Sequence, residues 1–194
     1  MRIDIVTGFP KILEAPLSES MIKIASRNNA VEILIHDIRD FTTDKHRTID
    51  DYPYGGGPGM VLKIEPIIKS LDQIFESMDQ KKAKILMPSP RGIKLEQPDI
   101  TKLSLEQHLV FVCGHYKGID ERIHEFYPIK EYSVGDYILS SGEIAALVMV
   151  DAVIRLLPGV LGDIDSAWTD SFSDHLLDTP YYTRPENFRN AQVP

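Results

Sequence analysis

Apolar positions in this chain follow two different periods. Short runs rich in Ile and Val, bounded by Gly, Pro or polar residues, predict strands over 2–7, 31–36, 83–87, 109–113 and 131–134. The run Val110-Phe111-Val112-Cys113 has no polar alternation and predicts a strand buried on both faces. Between the strands, Ile64, Ile67, Ile68, Leu71, Ile74, Phe75 and Met78 recur at helical spacing, predicting a helix over 63–79 with a core-facing stripe. Strands that alternate with helices predict an α/β fold, a mainly parallel sheet flanked by helices.

The segment 143–157 breaks the amphipathic rule. Ala145, Ala146, Leu147, Val148, Met149, Val150, Val153, Ile154, Leu156 and Leu157 leave almost no polar face, so this helix is expected to be buried on all sides. Two arrangements satisfy that: packing against a second subunit as well as the sheet, in a two-fold dimer, or a central core position. Pro158 and Gly159 should stop it. Two stretches, 40–60 and 160–177, show no period, and loops of that length in a compact domain tend to carry function or lack order. Asp163, Asp165, Asp170, Asp174 and Asp178 stand in or beside the second, without an intervening Lys or Arg, as in a solvated linker.

Composition narrows the function classes. At 194 residues with 43% hydrophobic content, the chain can bury a core and holds one or at most two domains. Its net charge of -8 repels polyanions globally, so a nucleic-acid partner needs a local basic patch. The stretch 81–94 carries Lys81, Lys82, Lys84, Arg91 and Lys94 with no acid, the strongest candidate footprint for RNA. The single Cys113 excludes an internal disulfide and a four-cysteine zinc site, and no metal framework stands out. With no targeting segment and no run long enough to span a bilayer, a soluble cytoplasmic protein without membrane contact is expected.

Gly55, Gly56, Gly57 and Gly59 suggest a phosphate loop, but Met60-Val61 stands where a nucleotide-hydrolase loop needs Lys and Ser or Thr. The dinucleotide fingerprint fails at the same place. What remains is a backbone-rich loop after Arg39, Lys45, His46 and Arg47, able to meet a phosphate backbone or equally a turn beside solvated cations. Three further loops are expected at the carboxyl edge of the sheet: Pro88-Ser89-Pro90, the stretch 114–122 and the stretch 133–142. Val134, Ile138 and Leu139, with Tyr116 and Tyr137, suit a flat heteroaromatic ring held by main-chain groups. By pattern alone the ligand is an adenine nucleotide, S-adenosylmethionine or a flavin.

HRTIDDYPYGGGPGM, CGHYKGIDER, SVGDYILSSGE, PGVLG and the DSF…LLD.P.YTRPE signature occur in the order seen in bacterial tRNA (guanine-N1)-methyltransferases, which the chain resembles over nearly its whole length. That resemblance implies the SPOUT-type fold with a deep trefoil knot at the cofactor site, an exception to the rule against threaded loops. It implies methyl transfer from S-adenosyl-L-methionine to N1 of the guanosine immediately 3′ of the anticodon, tRNA position 37, by a cytoplasmic homodimer. Carried over by position, Pro88, Ser89, Pro90, Gly114, Tyr116, Gly118, Ser133, Val134, Gly135, Asp136, Tyr137, Ile138, Leu139 and Gly142 would hold the cofactor. Asp170 would accept the N1 proton and Arg155 would stabilise charge on guanine O6. Without the resemblance, Asp170 is one solvated acid among five and Arg155 an i,i+4 partner of Asp151.

The same resemblance divides the chain into a catalytic, cofactor-binding domain over 1–160, an Asp-rich linker over 161–175 and, over 176–194, the start of a C-terminal tRNA-binding helical domain that is otherwise largely absent. That expectation keeps open a dimeric RNA-binding module that binds cofactor without turnover, and a SPOUT enzyme with another RNA target. Departures from the family pattern are Ser141 for Gly, Ala145 for Pro, His115 for Arg and Lys117 for Glu. Lys117 reverses the charge that could meet magnesium, leaving a magnesium requirement open.

Overall fold

The structure, a computed structural model, describes residues 1–76, 78–161, 171–172 and 177–194. Its elements in chain order are β1 (Arg2–Thr7), α1 (Lys11–Leu17), α2 (Ser20–Arg27), β2 (Glu32–Asp37), β3 (Asp50–Asp51), β4 (Val61–Leu62), α3 (Ile64–Glu76), β5 (Ala83–Lys94), α4 (Gln97–Ser104), β6 (His108–Val112), α5 (Ile123–Phe126), β7 (Ile129–Ser133), α6 (Gly142–Ile154), β8 (Asn187–Phe188) and β9 (Ala191–Gln192). The main sheet is parallel throughout, in the order β2-β1-β6-β5-β7. Short antiparallel pairs join β3 to β4 and β8 to β9.

Alternation along β1 and β6 divides the interior into two cores. Ile3, Ile5, Leu109, Phe111 and Cys113 face one side, with Leu13, Ile22 and the apolar residues of α6. Val6, Val110 and Val112 face the other, with Ile67, Leu71 and Ile74 of α3 and Ile123 of α5. Helices therefore cover both faces, which is why β6 is buried along its whole length, as its unbroken apolar run predicts. Asp4 is the polar exception on β1. Fully buried, its carboxylate meets His36 Nε2 at 2.7 Å, His108 Nε2 at 2.7 Å and Arg2 Nε at 2.7 Å. Burial would raise this carboxyl, but the hydrogen bonds from His108, His36 and Arg2 outweigh it and hold the group well below the usual aspartate range.

Strand β5 runs seven residues beyond the predicted end at Met87. Pro88 and Ile93 both stand opposite Tyr132, so residues 89–92 bulge out of the ladder before it resumes at Lys94. Gly92 makes this possible: a Cβ there would lie 2.5 Å from the backbone of Glu131 and Tyr132. The basic stretch 81–94 is consequently split between the two ends of β5. At one end Lys84 approaches Glu106 at 3.7 Å; at the other Arg91 pairs with Glu121. It is two patches, not one, because a strand carries its residues apart along its length.

Helix α6 packs against β5 and against α1, α2 and α4, which accounts for the burial of Ala145, Ala146, Met149, Val150, Val153 and Ile154. It is not enclosed on every side: Ile144 and Val148 are 43% and 52% exposed. Gly159, at φ +77°, ends the turn that follows. Beyond the body, the described residues 177–194 are almost all exposed. Among the described residues no helix is long and apolar enough to cross a membrane.

Candidate active site

In a parallel sheet every strand delivers its following loop to the same edge. The loops after β5, β6 and β7 meet there around a pocket of about 520 Å³. Pro88, Ser89 and Pro90 come from the β5 bulge, Gly114, Tyr116 and Gly118 from the loop after β6, and Ser133, Val134, Gly135, Tyr137, Ile138, Leu139 and Gly142 from the β7–α6 connection. The three sequence-distant loops are thus brought together. Asp136 is exposed and does not line the cavity. Arg155 does not line it either: it stands ten residues beyond Ala145, roughly 15 Å along the axis of α6 and its cap. Asp170 lies outside the described residues.

Close backbone approach closes the pocket floor. From edge strand β7, residues 134–141 pass the carboxyl end of β5 to reach the chain after β6, where Ser141 bridges His115. Gly142 N–H then donates to the Gly114 carbonyl at 2.7 Å. A Cβ on Gly142 would sit 2.7 Å from Gly114 N, so only glycine lets the two segments touch. Opposite, Ser133 Oγ donates to the Gly135 carbonyl at 3.0 Å and Tyr137 OH to the Val134 carbonyl at 3.3 Å, turning the loop back on itself. Tyr116 adopts a left-handed φ of +58°, a conformation that costs a non-glycine residue about 1–2 kcal/mol and is held here by its neighbours. His115 stacks on Phe9 at 4.1 Å and meets Tyr116 edge-on at 4.6 Å.

The glycine loop belongs to this rim, which its sequence alone could not say. Lys117 N–H donates to the Met60 carbonyl at 3.0 Å, Leu62 N–H to the Gly118 carbonyl at 3.0 Å, and the Lys117 side chain lies across Gly59, whose φ of +94° favours glycine. Arg39 stands 5.6 Å over Phe9 at the same edge. Beneath the floor, Glu143 is fully buried and accepts from Thr7 Oγ1 at 2.6 Å. Burial, reinforced by Glu143, pushes the Cys113 thiol up, leaving it a neutral core group and no nucleophile.

The cofactor set carried over from the family resemblance omits several lining residues, some of them inside the loops that the sequence pattern places at this edge. Met87, Arg91, His115, Lys117, Glu121, Tyr132, Ser141 and Ala145 also border the cavity. Only adjacency to named loop residues could have flagged them. Arg91 Nη2 donates to Glu121 Oε2 at 2.7 Å, and that guanidinium holds the Glu121 carboxyl below its usual range.

The chain matches the family described as tRNA (Guanine-1)-methyltransferase TrmD over residues 1–194. It is 52% identical over 194 residues to the tRNA (guanine-N(1)-)-methyltransferase of Carboxydothermus hydrogenoformans, covering 100% of this chain and 75% of that relative. It is 50% identical over 194 residues to the protein of the same name from Methylacidiphilum infernorum, covering 100% of this chain and 83% of the relative. Among solved structures, that of the tRNA (m1G37) methyltransferase from Aquifex aeolicus superimposes with a TM-score of 0.84 at 38% identity, covering 100% of this chain and 80% of that one.

Proposed function

The chain belongs to the tRNA (guanine-1)-methyltransferase family, and from that membership we propose that the pocket at the carboxyl edge of its sheet receives S-adenosylmethionine beside guanosine 37 of a tRNA, in an assembly of two copies. The protein is a methyltransferase that acts on N1 of guanine in tRNA. The observation that carries the pocket assignment is the convergence of three loops on one cavity of ligand size, at the edge where open α/β sheets bind ligands. Its chemistry suits the donor: main-chain groups from Gly114, Val134 and Gly135, apolar Ile138 and Leu139 for a flat ring, and a floor that glycine keeps free of side chains. When bound, S-adenosylmethionine supplies an electrophilic methyl group on a sulfonium. The self-threaded path implied by the family likeness would run through the crossing of residues 134–141 over β5.

Guanine N1 carries a hydrogen at neutral pH, so it attacks well only as that hydrogen leaves. Asp170 is the acceptor we assign, with Arg155 donating to O6 as negative charge spreads there. Arg155 sits too far along α6 to touch the pocket of its own chain, which supports delivery to the pocket of a second copy. The exposed Ile144 and Val148 on α6 supply an apolar contact for that copy. A tRNA substrate favours the cytoplasm, and among the described residues no helix is long and apolar enough to cross a membrane. Magnesium is not assigned a ligand, since Lys117 puts a cation at the rim where an acid would be needed.

The test is transfer of labelled methyl from S-adenosylmethionine to a tRNA transcript with guanosine at position 37, with nucleoside analysis of the product. 1-Methylguanosine is expected. Asp170→Ala should lower transfer by at least about 100-fold, within the range of a lost general base, and leave donor affinity near the parent value. Parental transfer by that variant, or a different methylated nucleoside, would refute the reading.

A further inference from the structure

On the outer side of the pocket rim, Glu121, His124 and Glu131 converge. His124 stands in the first turn of α5, and Glu121 lies in the turn just before that helix, three residues earlier; Glu131 reaches them from β7. One ligand atom from each lies within 4.8 Å of the others, the one such cluster among the described residues. We propose that these three side chains form a site for a divalent transition-metal ion of the zinc class, which shares Glu121 with the rim of the donor pocket and is independent of that pocket's assignment.

Three observations carry it. His124 Nε2 stands 3.2 Å from Glu131 Oε1 and 3.9 Å from Glu121 Oε1. Ligands held at about 2.1 Å in a tetrahedron are separated by roughly 3.4 Å, so the first pair already has ligand spacing. The second closes with a shift of about half an ångström in a Glu121 side chain that is 63% exposed. Secondly, His124 Nε2 and Glu131 Oε2 are both shielded from solvent and make no hydrogen bond, although Nε2 stands within ion-pair distance of both carboxylates. A shielded acceptor left unmet costs free energy that a cation would recover. Thirdly, one imidazole with two carboxylates is a zinc-type donor set with room for water as a fourth ligand, whereas magnesium favours oxygen alone.

Arg91 is the competing cation. Its Nη2 lies 2.7 Å from Glu121 Oε2 and 4.0 Å from Glu131 Oε1, offsetting part of the paired negative charge that a metal would neutralise. Metal binding at Glu121 Oε1 leaves Oε2 facing Arg91 but weakens that ion pair by neutralising part of the shared carboxylate charge at the pocket rim. Glu121 and Arg91 both border the cavity, so occupancy of one site is felt at the other.

The experiment is calorimetric titration of zinc chloride into the tag-free, chelator-treated full chain. One site of micromolar affinity or better is expected, together with a shift of the His124 Nε2 resonance in ¹⁵N spectra. His124→Ala and Glu131→Gln should each weaken that site at least about tenfold with no change in thermal midpoint, and Arg91→Ala should tighten it several-fold. Absence of zinc binding by the parent overturns the proposal. So does a site whose affinity is unchanged in His124→Ala, or an Nε2 resonance unmoved at saturation. None of these outcomes depends on methyl transfer, so failure here leaves the donor reading standing, and the reverse.

Discussion

Replacing Gly142 by alanine tests the idea that backbone contact builds the pocket floor. The new Cβ would lie 2.7 Å from Gly114 N, 3.0 Å from Gly114 O and 3.2 Å from Cys113 Cα, against an ordinary contact of 3.4 Å or more. All three neighbours are backbone atoms at the end of fully buried β6, so none can swing away. The segments must separate by several tenths of an ångström, which weakens the 2.7 Å bond from Gly142 N–H to the Gly114 carbonyl. Overpacking of this kind costs about 1–3 kcal/mol, and the strained hydrogen bond adds about 1 kcal/mol. At about 2–4 °C per kcal/mol for a domain of this size, the thermal midpoint should fall by roughly 5–15 °C. Donor affinity should drop at least about tenfold, equivalent to ~1.4 kcal/mol, because Gly114 forms one wall of the cavity. Gly114→Ala is the matched comparison: its Cβ would meet nothing closer than Ile119 Cγ1 at 3.8 Å, so its thermal midpoint should stay near the parent's. Calorimetry with S-adenosylmethionine and scanning calorimetry measure both quantities. If Gly142→Ala keeps the parent midpoint and the parent affinity, the close approach is incidental and the argument fails.

Asp4→Asn removes the charge that His36, His108 and Arg2 surround, and breaking so buried a network should cost about 3–5 kcal/mol in urea unfolding. Since the folded Asp4 carboxyl is held below its unfolded value near 3.9, its contribution is present above that pH and is lost as pH falls toward the depressed value; the parent's stability should decline below about pH 4, and less steeply in the variant. Thr7→Val strips Glu143 of its 2.6 Å donor and should destabilise by about 1.5–3 kcal/mol, checked by the same unfolding assay. Val148→Asp places a charge on the exposed apolar stripe of α6; sedimentation should show a monomer with an intact circular dichroism spectrum, and an unaltered dimer would discard that stripe as the contact.

Periodicity made the sheet and α3 legible because burial imposes it directly: β1 begins and ends as its Ile-Val run predicts, and α3 spans most of the stripe that starts at Ile64. The short helices α1, α2 and α4, with buried Leu13, Ile22 and Ile100, do not stand out in the sequence, since seven or eight residues give only about two turns over which a period can repeat. The full length of β5 was hidden for another reason: prolines at 88 and 90 look like a stop, and only pairing with β7 shows that the ladder resumes after them.

The order of the site motifs and the chemistry of their loops belong to the chain itself; local pattern placed three loops at the sheet edge, and the family resemblance picked out most of their lining residues from Pro88 to Gly142. Other facts needed the folded molecule. That Lys117 lies across Gly59, that Gly142 touches Gly114, that Arg155 stands at the far end of α6 from the pocket and that Glu131 meets His124 are relations that only the folded chain sets. Hydrophobic burial is a property each residue carries with it, so it leaves a period in the primary structure. Distances across a sheet edge are set by pairing, bulges and crossovers, and no local pattern records them.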